Sequence, residues 1–141
     1  MKNVLLAIAS VGTVIACAGI ATAAQPGLSF ATLEYQQSRD PLLPSNQSAD
    51  IVEHTPQEDI APAIDAISAA IPAGTSRADA EAILAHAGAH CRQHDAASER
   101  CTYFDVQTHD EYVDAVHWNV RLNLTGDQVQ SVAVDRSWMR S

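Results

Sequence analysis

The sequence predicts an α+β domain in which two short helices pack on a three-stranded antiparallel sheet, in the order α-α-β-β-β. Three observations predict it. Ile60, Ile64, Ile67 and Ile71 recur at helical spacing; Val116 to Leu124 alternates apolar with polar; and Thr125-Gly126-Asp127-Gln128 separates that run from a second alternating one. On this reading the chain divides into a signal peptide over 1–24, an extended or disordered linker over 25–58 and a small α+β domain over 59–141.

The leader comes first. Lys2 precedes a run from Val4 to Ala24 that is almost wholly apolar or small, ending Ala21-Thr22-Ala23-Ala24-Gln25. A basic start, an apolar middle and an A-x-A end are the parts of a secretory signal, with cleavage before Ala24 or Gln25. Two other fates stay open. Val14-Ile15-Ala16-Cys17 resembles a lipobox, in which Cys17 would carry lipid, and an apolar run of about twenty residues can also remain as a membrane anchor. All three export the chain to the periplasm or the extracellular space, or to the outer membrane.

From Gln25 to about Asp59 neither helical nor strand period is sustained. Pro26, Pro41, Pro44 and Pro56 are scattered among polar residues, including Ser45-Asn46-Gln47-Ser48. Such composition suits a tether rather than a core.

The first helix follows, with Asp59 expected as its N-cap, Pro62 in its first turn and Pro72 and Gly74 as its stop. Ser76 caps the second, with Asp79 three residues on. Its apolar stripe is Ala80, Ile83, Leu84 and Ala87, and Gly88 ends it. Neither helix is long enough to be stable alone, so both need a packing partner. That partner is the sheet. Arg100 to Gln107 reads as one strand. Val116, Trp118, Val120, Leu122 and Leu124 form the buried face of the next. Val129 to Trp138 returns as the last, with Val132, Val134 and Trp138 on one side.

Composition narrows the function. The chain has 141 residues, with 17 Asp and Glu against 8 Lys and Arg and a net charge of −9. Loss of the leader removes Lys2, the only lysine, and leaves seven arginines against the seventeen acids, a formal charge of −10. That balance argues against nucleic acid, whose phosphates need clustered cations. No Gly-x-Ser-x-Gly elbow or His-Glu-x-x-His pair is present, so no catalytic set is expected. The acidic run His109-Asp110-Glu111-Tyr112-Val113-Asp114 lacks the ligand spacing of an EF-hand and reads as a solvated connection.

Cys91 and Cys101 lie beyond the leader. An even pair in an exported chain is most simply a disulfide, here joining the end of the second helix to the first strand. A metal site is the competing use, with His86, His90, Cys91 and His94 as ligands. Helical register would be needed to bring the histidines together, and Gly88 interrupts it. No cofactor is expected.

Gly74, Ser76, Asp79, Ala80, Ile83 and Leu84, followed by Tyr103 and the Val116–Trp138 hairpin, carry a resemblance. From Ile71 onward the chain resembles the small outer-membrane assembly lipoproteins of the BamE/SmpA type and the related β-lactamase-inhibitor-protein fold. Ala85 stands where that signature has glycine, and Gly88 comes three residues later. The resemblance implies a non-enzymatic exported module that binds or scaffolds envelope or secreted proteins. By analogy with the inhibitor fold, an alternative is a secreted or periplasmic enzyme inhibitor using the Asp110–Asp114 loop. The expected binding surface is the wet face of the main strand, His117, Asn119, Arg121 and Asn123, with Trp138 as an anchor.

Overall fold

The computed structural model describes residues 27–37, 51–108, 110 and 112–141. The leader expected over 1–24, Cys17 and the middle of the expected linker lie outside them. Within the described residues the elements run α1 (Phe30–Tyr35), β1 (Glu53–His54), α2 (Ala61–Ala70), α3 (Arg77–His86), β2 (His90–Asp95), β3 (Ser98–Thr108), β4 (Val113–Thr125) and β5 (Gln128–Arg140). The strands form one antiparallel sheet in the order β1-β5-β4-β3-β2.

This corrects the three-stranded expectation: the sheet has five strands and the helices number three among the described residues. The two strands that escaped notice are its edges. In β2 only one side meets the core, and the side chains are His90, Cys91, Arg92, Gln93, His94 and Asp95, so no apolar alternation betrays it. β1 is two residues long and has no period to detect. The additional helix, α1, and β1 both fall inside the 25–58 stretch expected as linker.

The central strand β4 explains the architecture. Asp114, Val116, Trp118, Val120, Leu122 and Leu124 are buried, and the residues between them are not. One face of the sheet is therefore apolar, and the helices cover it. α2 contributes Ile60, Ala63, Ile67 and Ile71, and α3 contributes Ala80, Leu84 and Ala87. Each large side chain buried this way stabilises the fold by about 1.5–3 kcal/mol. Ile60, not Asp59, is the N-cap of α2, and it makes no side-chain cap bond. α3 starts as expected: Ser76 Oγ accepts from the Asp79 amide at 3.1 Å and donates to Asp79 Oδ2 at 2.7 Å. Gly88 ends that helical segment at φ +103°, a conformation that side-chain-bearing residues rarely adopt, and turns the chain into β2.

α1 packs through Phe30, which stacks on Tyr103 at 5.5 Å between ring centroids and tilts against Trp118 at 6.2 Å. The Phe30 amide donates to the Ala87 carbonyl at 3.0 Å, tying α1 to the end of α3.

Cys91 and Cys101 are bonded to each other, as expected. They are register partners on β2 and β3, so the disulfide closes a hairpin rather than linking helix to strand. The outer border of β5 is occupied at both ends: β1 pairs with Ser137 and Trp138, while Gly74 and Thr75 exchange backbone bonds with Val129 and Ser76 bridges Gln128.

Candidate binding face

Strand alternation that buries one face of β4 exposes the other, and no helix of the described residues lies there. His117 and Arg121 are exposed and Asn119 and Asn123 half-buried on this open face, which brings together four of the five residues expected as a binding surface. Trp138 does not join them. It pairs with Val116 across β4 and β5, so it shares the helix-covered face, half-buried against the core with the Arg140 guanidinium 5.3 Å from its ring. The alternation of β4 shows the four; Trp138 shares the parity of Val132 and Val134 along β5, and its expected role as an exposed anchor gives way to packing against the core.

Pairing across strands extends the face beyond what one strand reveals. Arg92 is the partner of Arg100, Arg100 of Arg121, and Arg121 of Ala133. Three arginines on β2, β3 and β4 thus form one row perpendicular to the strands, spanning about 10 Å at the usual strand spacing. All three are exposed. The neighbouring row is His90, Thr102, Asn119 and Asp135, in which Thr102 Oγ1 donates to Asn119 Oδ1 at 3.2 Å. Asp135 is engaged by His54 Nδ1 at 2.9 and 3.1 Å. Farther along β3, Phe104 and Val106 are 53% and 50% exposed, and the Phe104 ring lies 4.7 Å from that of His117.

Two shallow cavities open on this face and share Arg100. One, of about 380 Å³, is also lined by Asn119, Arg121, Ala133 and Asp135; the other, of about 470 Å³, by His90, Arg92, Thr102 and Phe104. Among the described residues, Arg92, Arg100 and Arg121 have no carboxylate within ion-pair distance. Like charges directly opposite on a sheet repel, by up to about 1 kcal/mol per exposed pair in water.

The other described arginines are spent differently. Arg136 forks onto Glu34, Nη2 to Oε1 at 2.7 Å and Nε to Oε2 at 2.8 Å, under the helices. Trp118 Nε1 donates to Glu34 Oε2 at 2.8 Å and Gln107 Nε2 to Oε1 at 3.1 Å. Glu34 is 2% exposed. Burial pushes its carboxyl up, but the hydrogen bonds and charge of Arg136, with the bonds from Trp118 and Gln107, outweigh that and hold it below the ordinary value. Arg140 forks onto Asp114 at 2.7 and 2.9 Å. Arg77 Nε lies 3.6 Å from Glu99 Oε2, too far for a hydrogen bond. Glu99 is buried, and burial together with the neighbouring Glu81 pushes its carboxyl up to about 7 against the pull of Arg77.

No family model, curated protein or solved structure matches this chain. Its own geometry therefore has to assign the remaining candidates. His86 sits in the last turn of α3, whereas His90, Cys91 and His94 lie on β2, where His90 and Cys91 point to opposite faces. The Cys91 sulfur is bonded to Cys101, so it offers no thiolate to a cation. A Glu99 oxygen and both sulfurs lie within 4.8 Å of one another, which places the disulfide beside the buried acid. In the acidic run, the buried Asp114 is held by Arg140. No helix of the described residues is long and apolar enough to cross a membrane.

Chemically, the open face offers forked cationic donors, neutral hydrogen-bonding groups and two half-exposed apolar side chains on a rigid sheet. Sequence reasoning missed Arg92 and Arg100 as members of it. Each is an unremarkable polar residue in one dimension, and only strand register sets them beside Arg121.

Proposed function

We propose that this chain is an exported, non-enzymatic module that docks another envelope or secreted protein against the open face of its sheet. The observation that carries this reading is the helix-free face, where Phe104 and Val106 remain half exposed beside a field of polar and cationic groups. Apolar anchors rimmed by hydrogen-bonding and arginine side chains have the composition of a recognition surface. The leader pattern supports export, and so does the disulfide, because such bonds persist in oxidising compartments. The resemblance to envelope assembly modules points the same way.

The test is site-specific photo-crosslinking in the cells that produce the protein. A photoreactive residue at Asn119, on the open face, should give a discrete higher-mass adduct. The same residue at Ala82, exposed on α3 behind the sheet, should give none. Equal adducts at both positions, or none at Asn119, would refute the assignment of the face. Intact mass of the purified protein tests export by reporting the processed N-terminus.

A further inference from the structure

We propose that the Arg92–Arg100–Arg121 row is a binding site for a short, carboxylate-rich segment of a partner protein, laid across β2, β3 and β4. The proposal rests on the reading that the open face docks a partner, and it names the chemistry recognised there.

Four observations carry it. First, the row is built by strand pairing, with Arg92 opposite Arg100 and Arg100 opposite Arg121, so the sheet sets three arginines side by side on one face. Second, the remaining described arginines, Arg77, Arg136 and Arg140, each face a carboxylate of this chain, while the three in the row face none among the described residues. Third, this cation cluster stands on a chain of net charge −9, where seventeen acidic residues could have been placed to neutralise it. Fourth, Arg100 forms part of the wall of both cavities on the face, so one ligand can lie across both. A guanidinium presents parallel N–H donors that match a carboxylate fork. A carboxylate set between two neighbouring arginines replaces their repulsion with attraction on both sides.

Size and surroundings select the occupant. The row spans about 10 Å, close to one Debye length at physiological salt. A membrane or a nucleic-acid duplex extends its charge well beyond that and meets the acidic remainder of the molecule. A segment with two or three carboxylates does not. Asp135, held by His54, marks the limit of the cationic zone on the β5 side. Phe104, which lines the second cavity together with Arg92 and Arg100, offers contact for an apolar side chain of the same segment.

The experiment uses the purified, disulfide-bonded protein and a fluorescein-labelled peptide with the core Asp-Glu-Leu-Glu-Asp, followed by anisotropy. The comparison probes are its amide counterpart Asn-Gln-Leu-Gln-Asn, inorganic phosphate and phosphatidylglycerol vesicles. The acidic peptide should bind with an affinity that falls as salt rises, and the amide peptide should not bind. Arg100→Gln should weaken binding about tenfold, the equivalent of one charge-assisted hydrogen bond, with unchanged circular dichroism. Arg100→Lys should recover part of that loss, since it restores charge without the fork.

Equal binding of the amide peptide, or an acidic peptide indifferent to Arg100→Gln, would overturn the proposal. So would binding of phosphate or vesicles in preference to the peptide, or concentration-dependent self-association abolished by Arg100→Gln, which would make a second copy the occupant. If the acidic peptide does not bind while Asn119 still crosslinks a partner, the carboxylate reading fails and the docking face stands. If both are silent, both fail.

Discussion

Replacing Glu34 by glutamine tests whether α1 is an integral part of the domain. In the native protein the Glu34 carboxylate receives Arg136 through two bonds of 2.7 and 2.8 Å, Trp118 Nε1 at 2.8 Å and Gln107 Nε2 at 3.1 Å. The side chains of Glu34 and Arg136 are 2% and 12% exposed, so little water can replace a lost partner. Glutamine keeps the shape but removes the charge, and its amide group confronts donors with a donor. Breaking one side of a buried ion pair typically costs about 3–5 kcal/mol. A domain of this size is stable by about 5–15 kcal/mol, so the loss is a large fraction of the total. With a urea m-value of about 2 kcal/mol per molar, the midpoint should fall by roughly 2 M. Trp118, in direct contact with Glu34, supplies the fluorescence signal. A midpoint shift below about 0.5 M would refute the argument. So would a separate early transition in which α1 leaves while the sheet stays intact. The double substitution Glu34→Leu with Arg136→Met should recover part of the loss, because it leaves no buried charge unmatched while Trp118 Nε1 still loses its acceptor.

Three other outcomes follow from the same structure. Replacing Cys91 and Cys101 by serine opens a loop with a sequence separation of 10 and should cost about 2.7 kcal/mol by chain entropy, read as a lower urea midpoint than the oxidised protein. Two carboxylates shape the pH profile in opposite senses. Glu34, held below 4.5, contributes stability that is present above that value and lost as the pH falls through its folded value. Glu99, raised from 4.5 to about 7, binds its proton more tightly when folded, so stability falls as the pH climbs between those values. Melting temperature should therefore decline from about pH 5 to about pH 7, and Glu99→Gln should flatten that limb; an unchanged slope would contradict the assignment. Finally, Gly88→Ala should cost about 1–3 kcal/mol, read as a lower urea midpoint, since φ is +103° and a side chain is strained there even though its Cβ would make only ordinary contact with the Tyr103 ring.

What the sequence made legible was whatever has a period or a local chemical signature. Ser76 and Asp79 announced α3, Gly88 its end, and the alternation of Val116 to Leu124 the central strand. The disulfide followed from an even pair, Cys91 and Cys101, in a chain whose leader pattern predicts export. The parts that stayed hidden depend on contacts far along the chain. α1 has six residues, and the purpose of Glu34 emerges only with Arg136, 102 positions away. Ser29 before Phe30, with Leu33 three residues on, was the one local hint of it. β2 reads as a polar loop because one of its sides faces solvent and the other presents little beyond Cys91. The candidate face was half legible for the same reason. His117, Asn119, Arg121 and Asn123 share a strand, whereas Arg92 and Arg100 join them through register.

The borders of the sheet bear on how this protein behaves when crowded. An unprotected strand edge invites a neighbour's backbone to add to it, which is the usual route to runaway polymerisation. Here one margin, β2, carries histidine, arginine and aspartate and a register shift between Gln93 and Asp95, while the other is capped by the stub of β1 and by the Gly74–Ser76 connection. Both margins are poor templates for templated growth. Molecules concentrated in a confined compartment can therefore collide edge to edge without fusing into a continuous ribbon.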